Sequence, residues 1–126
     1  SAIKRFDVVV FKTDTGSILI KRVIGLPGEA VCYENDQLYV NNQPIAEPYL
    51  TKNRKKDHET MPYTTNFDSK ELLMQEKLPK DSYFVLGDNR RMSKDSRSFG
   101  AIHADQILGK AQFVYYPLTH MKIIPK

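Results

Sequence analysis

A single cysteine, Cys32, stands among the 126 residues, which excludes an internal disulfide. Cys/His pairs at zinc-ligand spacing are missing too, so neither a disulfide scaffold nor a structural metal is expected to hold the fold. No apolar stretch approaches the roughly 20 residues that a membrane-spanning helix needs, and no signal-peptide pattern opens the chain; as written, it reads as soluble. Internal repeats and low-complexity tracts are absent. The start Ser1-Ala2, followed at once by a strand-like segment, has the look of a cut inside a longer protein.

What is present is the composition of one ordinary globular domain, 40% hydrophobic and 27% charged, long enough to bury a core. Net charge is +4, and a visible share of it lies in Lys52-Asn53-Arg54-Lys55-Lys56. A solvated loop is the commoner explanation for such a run than a nucleic-acid or anionic membrane surface, and Asp57 and Glu59 blunt it immediately. Without aromatic interleaving or a recognised module, no nucleic-acid partner is expected.

Most of the pattern favours strands. Phe6 to Phe11 and Ser17 to Ile20 are β-branched and aromatic runs joined by Thr13-Asp14-Thr15-Gly16, turn residues at hairpin length, which predicts an antiparallel pair. The strand through Lys21 should stop at Gly25-Leu26-Pro27-Gly28. Ala30 to Tyr33 and Gln37 to Val40 read as a second hairpin across Glu34-Asn35-Asp36, followed by a turn at Asn41-Asn42-Gln43-Pro44. Ser82 to Leu86 and Ala111 to Tyr116 are further strands, with a helical turn between them at His103 to Ile107. From Thr51 to Lys80 the charge clusters and the periodicity weakens, and Leu72-Leu73-Met74 fits either a short helix or a strand. The expected architecture is mostly β, an antiparallel core from residues 1–40 and 81–126 with a small cap-like subdomain inserted at 41–80.

Two segments carry candidate chemistry. In Ile18-Leu19-Ile20-Lys21-Arg22-Val23-Ile24-Gly25, neighbouring side chains diverge, so Lys21 shares a face with Leu19 and Val23 while Arg22 takes the other. An ammonium that loses water among apolar neighbours is driven toward its neutral form, which would make Lys21 a candidate general base. A strand lysine whose stem packs on apolar neighbours while its head reaches water is the competing reading. The second segment, Gly87-Asp88-Asn89-Arg90-Arg91-Met92-Ser93-Lys94-Asp95-Ser96-Arg97-Ser98-Phe99-Gly100, follows directly on a strand. It lacks the acidic spacing of a calcium loop and the glycine spacing of a phosphate loop. What remains is a polar network, in which Asp88, Asp95, Arg22, Arg90 and Arg97 can pair and Ser93 and Ser96 can donate and accept; a purely structural loop is the alternative.

Ile20-Lys21-Arg22-Val23-Ile24-Gly25-Leu26-Pro27-Gly28-Glu29, taken with Gly87-Asp88-Asn89-Arg90 and Ser93-Lys94-Asp95-Ser96-Arg97, resembles the type I signal peptidases of bacteria. Asp7 to Phe11, Gln37 to Asn41 and Glu47-Pro48-Tyr49-Leu50 are similar to that family as well, particularly to its shorter Gram-positive members. The resemblance implies that Lys21 is the general base of a Ser-Lys dyad and that Ser93 orients its amine. Arg22, Asp88, Asn89, Arg90, Asp95, Ser96 and Arg97 would support the site, and Leu19 and Ile20 would help line shallow pockets for small residues. No metal or organic cofactor is implied. The partners would be signal peptides of secreted preproteins and, through the parent protein, the outer face of the cytoplasmic membrane.

Two features of the family are not found. Its nucleophilic serine, in a Ser-Met-Xaa-Pro segment behind an N-terminal membrane helix, has no counterpart here, so the chain alone is expected to be inactive. Phe6 stands where the family usually has glycine. The rival readings are another Ser-Lys protease of the self-cleaving repressor kind, or a non-catalytic relative that binds secreted or pilin-type peptides.

Overall fold

In a computed structural model, which describes residues 2–50, 62–113 and 121–125, the first hairpin forms as its turn residues predict. β1 (Val8–Lys12) and β2 (Ile18–Gly25) pair antiparallel, with Val9 opposite Lys21 and Val10 opposite Ile20. β3 (Val31–Glu34) and β4 (Gln37–Val40) pair across Asn35 and Asp36, both at positive φ, the conformation that a two-residue hairpin demands and that Asn and Asp tolerate. Asn41 and Asn42 repeat the device and lead into β5 (Gln43–Ile45), so that the expected turn at Asn41 to Pro44 is over by Gln43 and a strand begins there. Pro44 suits it, because β5 lies at a sheet edge where one missing N–H is tolerated.

Among the described residues the strands form two antiparallel sheets. The larger has the order β10-β9-β1-β2-β7-β8, completed by β7 (Ser82–Leu86), β8 (Ile102–His103), β9 (Ile107–Phe113) and β10 (Met121–Pro125). The smaller has the order β5-β4-β3-β6, with β6 at Phe67–Asp68. The boundary between sheets therefore falls between Gly25 and Val31, not at residue 40: β3 and β4, expected with the first core, pair with β5 and β6 instead. Leu72 and Leu73 lie in and at the end of a short helix, Ser69–Leu73, capped by Asp68 and ended by Met74 at φ 55. The turn expected near His103 is a 3-10 turn over Ala104–Gln106. The basic run Lys52 to Lys56 and the end of the Ala111 to Tyr116 strand lie outside the described residues.

The larger sheet is covered on both faces. Ile24, Phe84 and Leu86 pack against Val31, Tyr33, Leu38 and Val40 of the smaller sheet, while Val9, Phe11, Val23, Val85, Ile102 and Ile107 form a second cluster on the opposite face. Strands buried on both sides read as continuous apolar runs, which is why Val23-Ile24 and Phe84-Val85-Leu86 lose alternation. In the half of β2 that reaches past the end of β7 it is burial that alternates, with Ile18 and Ile20 exposed and Leu19 and Lys21 half-buried.

Candidate active site

Strand geometry decides what β2 offers there. Val23 donates its N–H to the Asp7 carbonyl (2.8 Å) and accepts from the Phe6 N–H (2.7 Å), so its peptide groups point toward β1. Successive residues alternate, so the peptide groups of Ile18, Ile20 and Arg22 point the other way. Arg22 meets Leu86 of β7, and the pairing ends there. Ile18 and Ile20, 60% and 41% exposed, therefore present N–H and C=O groups to an edge that no strand among the described residues covers.

Lys21 lies at this edge on the face of Leu19 and Val23, across from Val9, as the alternation predicts. Its Nζ donates to Ser93 Oγ at 2.9 Å, joining two segments 72 residues apart. Ser93 is delivered by a tight turn, its N–H donating to the Asn89 carbonyl at 2.9 Å. Behind it lies Gly87, where a Cβ would sit 1.9 Å from Ser93 Oγ and 3.4 Å from Lys21 Nζ. Only glycine leaves room for the lysine–serine contact. Gly87 is thus a site residue to which its place in the motif Gly87-Asp88-Asn89-Arg90 assigns no role by itself.

Each of the expected supporting residues has a definite place. Arg22 reaches Asp88 through two bonds, at 3.0 and 2.8 Å, donates to the Phe6 carbonyl and lies over the Tyr49 ring at 4.2 Å. Asp95 caps the short helix Ser96–Phe99, binds the Arg97 guanidinium through both oxygens and accepts the Gly87 N–H at 2.9 Å. Burial alone would raise the Asp95 pKa, but the Arg97 and Gly87 hydrogen bonds outweigh it and hold the carboxyl below its usual range. Ser96 is buried, its Oγ accepting the Val85 N–H. Asn89 contributes its carbonyl, which holds the turn to Ser93.

Arg90 departs from the expected network. It pairs with neither Asp88 nor Asp95; its side chain, 0% exposed, turns to the smaller sheet and binds Glu47 at 2.9 Å. Glu47, Tyr33 and Tyr49 surround it, and none of the three was assigned a role from sequence. The one signal was Glu47-Pro48-Tyr49, whose likeness to the family marked the segment without saying what it does.

Phe6 stands at φ +73, a left-handed conformation that costs a non-glycine residue on the order of 1–2 kcal/mol. The departure from glycine is held by its bonds to Val23 and Arg22 and by its ring on Tyr49, centroids 4.9 Å apart. Leu19 and Ile20 lie on opposite faces of β2 and border different depressions. Ile20 lines one with Val8, Lys21 and Gly87; Leu19 lines another with Phe99, Ala101, Ile102 and Lys94. Among the described residues no helix is long and apolar enough to cross a membrane, and no three His, Cys, Asp or Glu side chains gather as metal ligands.

The family model described as signal peptidase, peptidase S26, matches residues 1–116. Signal peptidase I V of Bacillus subtilis is 50% identical over 107 residues, covering 85% of this chain and 63% of that protein. Signal peptidase IB of Staphylococcus aureus is 45% identical over 125 residues, covering 95% and 64%. The chain thus spans a little under two thirds of the length of these relatives. A crystal structure of a signal peptidase I from Enterococcus faecalis V583 superposes with a TM-score of 0.82 at 37% identity, over 87% of this chain and 97% of that one. The two motifs that meet at Lys21 and Ser93 both fall inside the matched span, and the chain belongs to the signal peptidase family, peptidase S26.

Proposed function

We propose that this chain is the part of a bacterial type I signal peptidase that carries the lysine of a Ser-Lys dyad. The observation that carries the reading is the 2.9 Å contact from Lys21 Nζ to Ser93 Oγ at an unpaired strand edge. A lysine accepts a proton only as the free amine, and donating an N–H to Ser93 fixes the direction of the remaining lone pair. That lone pair takes the hydroxyl proton of a serine supplied from outside this chain, and the serine oxygen attacks the carbonyl carbon after a small residue such as alanine. Lys21 then passes the proton to the leaving amine and activates the water that clears the acyl-enzyme.

The substrate is a signal peptide of a secreted preprotein, extended along β2. The outward peptide groups of Ile18 and Ile20 give it backbone partners, and Leu19 and Ile20 border its side-chain pockets. The parent protein works at the outer face of the cytoplasmic membrane. Neither a metal nor an organic cofactor enters this chemistry.

On this reading Ser93 orients the amine and another serine is the nucleophile; Ser93 Oγ lies beside Gly87 and accepts from Lys21 Nζ. Ser69 and Ser96 are buried acceptors of backbone N–H groups, and Ser82 is buried in β7. On this reading the nucleophile comes from outside this chain, and the chain alone is inactive. In the complete-length protein, Lys21→Ala lowers cleavage of a signal-peptide-like substrate by at least about 100-fold. Cleavage that survives the substitution refutes the base. Cleavage by the chain alone that depends on both Lys21 and Ser93 would make Ser93 the nucleophile, and binding without cleavage by the complete protein would favour a peptide-binding relative.

A further inference from the structure

Arg90 is 2% exposed, yet each of its five N–H groups has an acceptor. Nε donates to the Gly87 carbonyl at 2.8 Å, one terminal nitrogen to Tyr33 Oη (2.7 Å) and Thr64 Oγ1 (3.3 Å), and the other to Glu47 Oε2 (2.9 Å) and Tyr49 Oη (3.0 Å). Both phenols in turn donate to Glu47 Oε2. Burial works against the Arg90 charge, but Tyr33, Glu47 and Tyr49 outweigh it and hold its pKa above the ordinary value; burial also pushes both phenols up, so they stay protonated donors. Four separate parts of the chain meet on one guanidinium. An apolar cluster of the same volume would stabilise the sheet contact at least as well, so the use of ions here points to a job of fixing position.

The position it fixes is that of Gly87. Arg90 holds the Gly87 carbonyl while Asp95 holds its N–H, so the peptide units on both sides of the Gly87 Cα are tethered. Tyr63 donates to the next carbonyl, that of Asp88. Gly87 touches Ser93 so closely that a shift of a few tenths of an ångström has to be passed on to Ser93, and from there to Lys21.

We propose that Arg90, anchored on Glu47, Tyr33 and Tyr49, is a positioning residue that holds Gly87 against Ser93 and thereby sets the Lys21–Ser93 contact. Its catalytic meaning rests on the dyad reading above; its structural meaning does not. Arg90→Lys separates the two tethers, because an ammonium can remain opposite Glu47 but has no planar fork with which to hold the Gly87 carbonyl at the same time.

The test uses this chain with carbon-13-labelled lysine, the Lys21 Cε–Hε resonance being assigned by Lys21→Arg. In Arg90→Lys that resonance moves toward its position in Ser93→Ala, while the amide spectrum remains that of the folded protein. Glu47→Gln keeps the shape of the anchor and weakens it, and gives a smaller move in the same direction. A Lys21 resonance that stays in place in either folded variant, while the Tyr33 ring signals shift, overturns the proposal. In the complete-length protein Arg90→Lys lowers kcat by about 10- to 100-fold with little change in KM. Cleavage that persists in Lys21→Ala would refute the dyad and leave the resonance result standing, so the two failures are distinct.

Discussion

Two arginine–carboxylate pairs brace the same loop from opposite sides, and they are built differently. Arg22 and Asp88 meet near the open edge of β2, where the Asp88 side chain is 38% exposed; Arg90 and Glu47 meet where their side chains are 0% and 2% exposed. At the edge, water screens each partner and can replace the other. In the interior water cannot take the place of either partner, so removing one charge costs far more than it does at the edge. The largest expected effect follows: Arg90→Leu takes the guanidinium away from the buried Glu47 carboxylate and lowers unfolding free energy in urea by about 3–5 kcal/mol. Arg90→Leu combined with Glu47→Leu recovers most of that loss. If the double variant is as unstable as the single one, the cost lies in packing and the comparison fails.

Gly87 sits between the two braces and tests whether they hold one object. Gly87→Ala has no room for its Cβ, since Ser93 Oγ would lie at 1.9 Å, and the side chain it meets is short and tied to Lys21. Overpacking of this kind costs about 1–3 kcal/mol, less than breaking the buried pair. Its effect on the site is nevertheless the sharper, because Ser93 has to leave Nζ. The Lys21 resonance of Gly87→Ala should match that of Ser93→Ala, and a spectrum like that of the unmodified chain would show that the loop yields elsewhere.

The exposed half of this comparison was legible in the sequence, and the buried half was not. Alternation in Ile18 to Val23 placed Lys21 with Leu19 and Arg22 on the opposite face, and the likeness to signal peptidases brought Ser93 to Lys21. Proximity in the chain also suggested that Arg90 pairs with Asp88 or Asp95. The fold decides otherwise: Asp88 emerges on the Arg22 side as β7 ends, Asp95 is consumed in capping a helix, and Arg90 turns inward. Its partner Glu47 is 43 residues away, in a segment positioned by pairing of the smaller sheet, which no local pattern encodes. Strands β6 and β8, with two residues each, are too short to show any period.

Acid acts on two other carboxylates, outside these braces. Asp95 and Glu29 both titrate below their ordinary values, 3.8 and 4.5, once folded. For Glu29, burial raises the pKa, and the Arg5 guanidinium and the Leu26 N–H more than reverse it. The unfolded chain therefore binds these protons first, so the stabilisation is complete above the ordinary values and fades as pH falls through the lower folded ones. Urea melts between pH 7 and pH 3 should show a loss at the acid end that is reduced in Arg97→Met, which returns the Asp95 pKa toward the ordinary range. An identical acid slope in Arg97→Met would remove Asp95 as a contributor.

The smallest effect belongs to the open-edge pair. In Asp88→Asn the amide still offers an oxygen to Arg22, and Arg22 keeps its bond to the Phe6 carbonyl and its place over Tyr49. One of the two bonds from Arg22 and the Coulomb attraction are lost, both at a partly exposed carboxylate that water and salt screen, so the cost is on the order of 0.5–1 kcal/mol and should shrink further in 1 M salt. The Arg90→Leu loss, by contrast, should be nearly the same at both salt concentrations because its partners exclude water. If Asp88→Asn proves as costly as Arg90→Leu, or equally indifferent to salt, exposure does not divide these braces, and the Arg22 stack on Tyr49 must couple them into one unit.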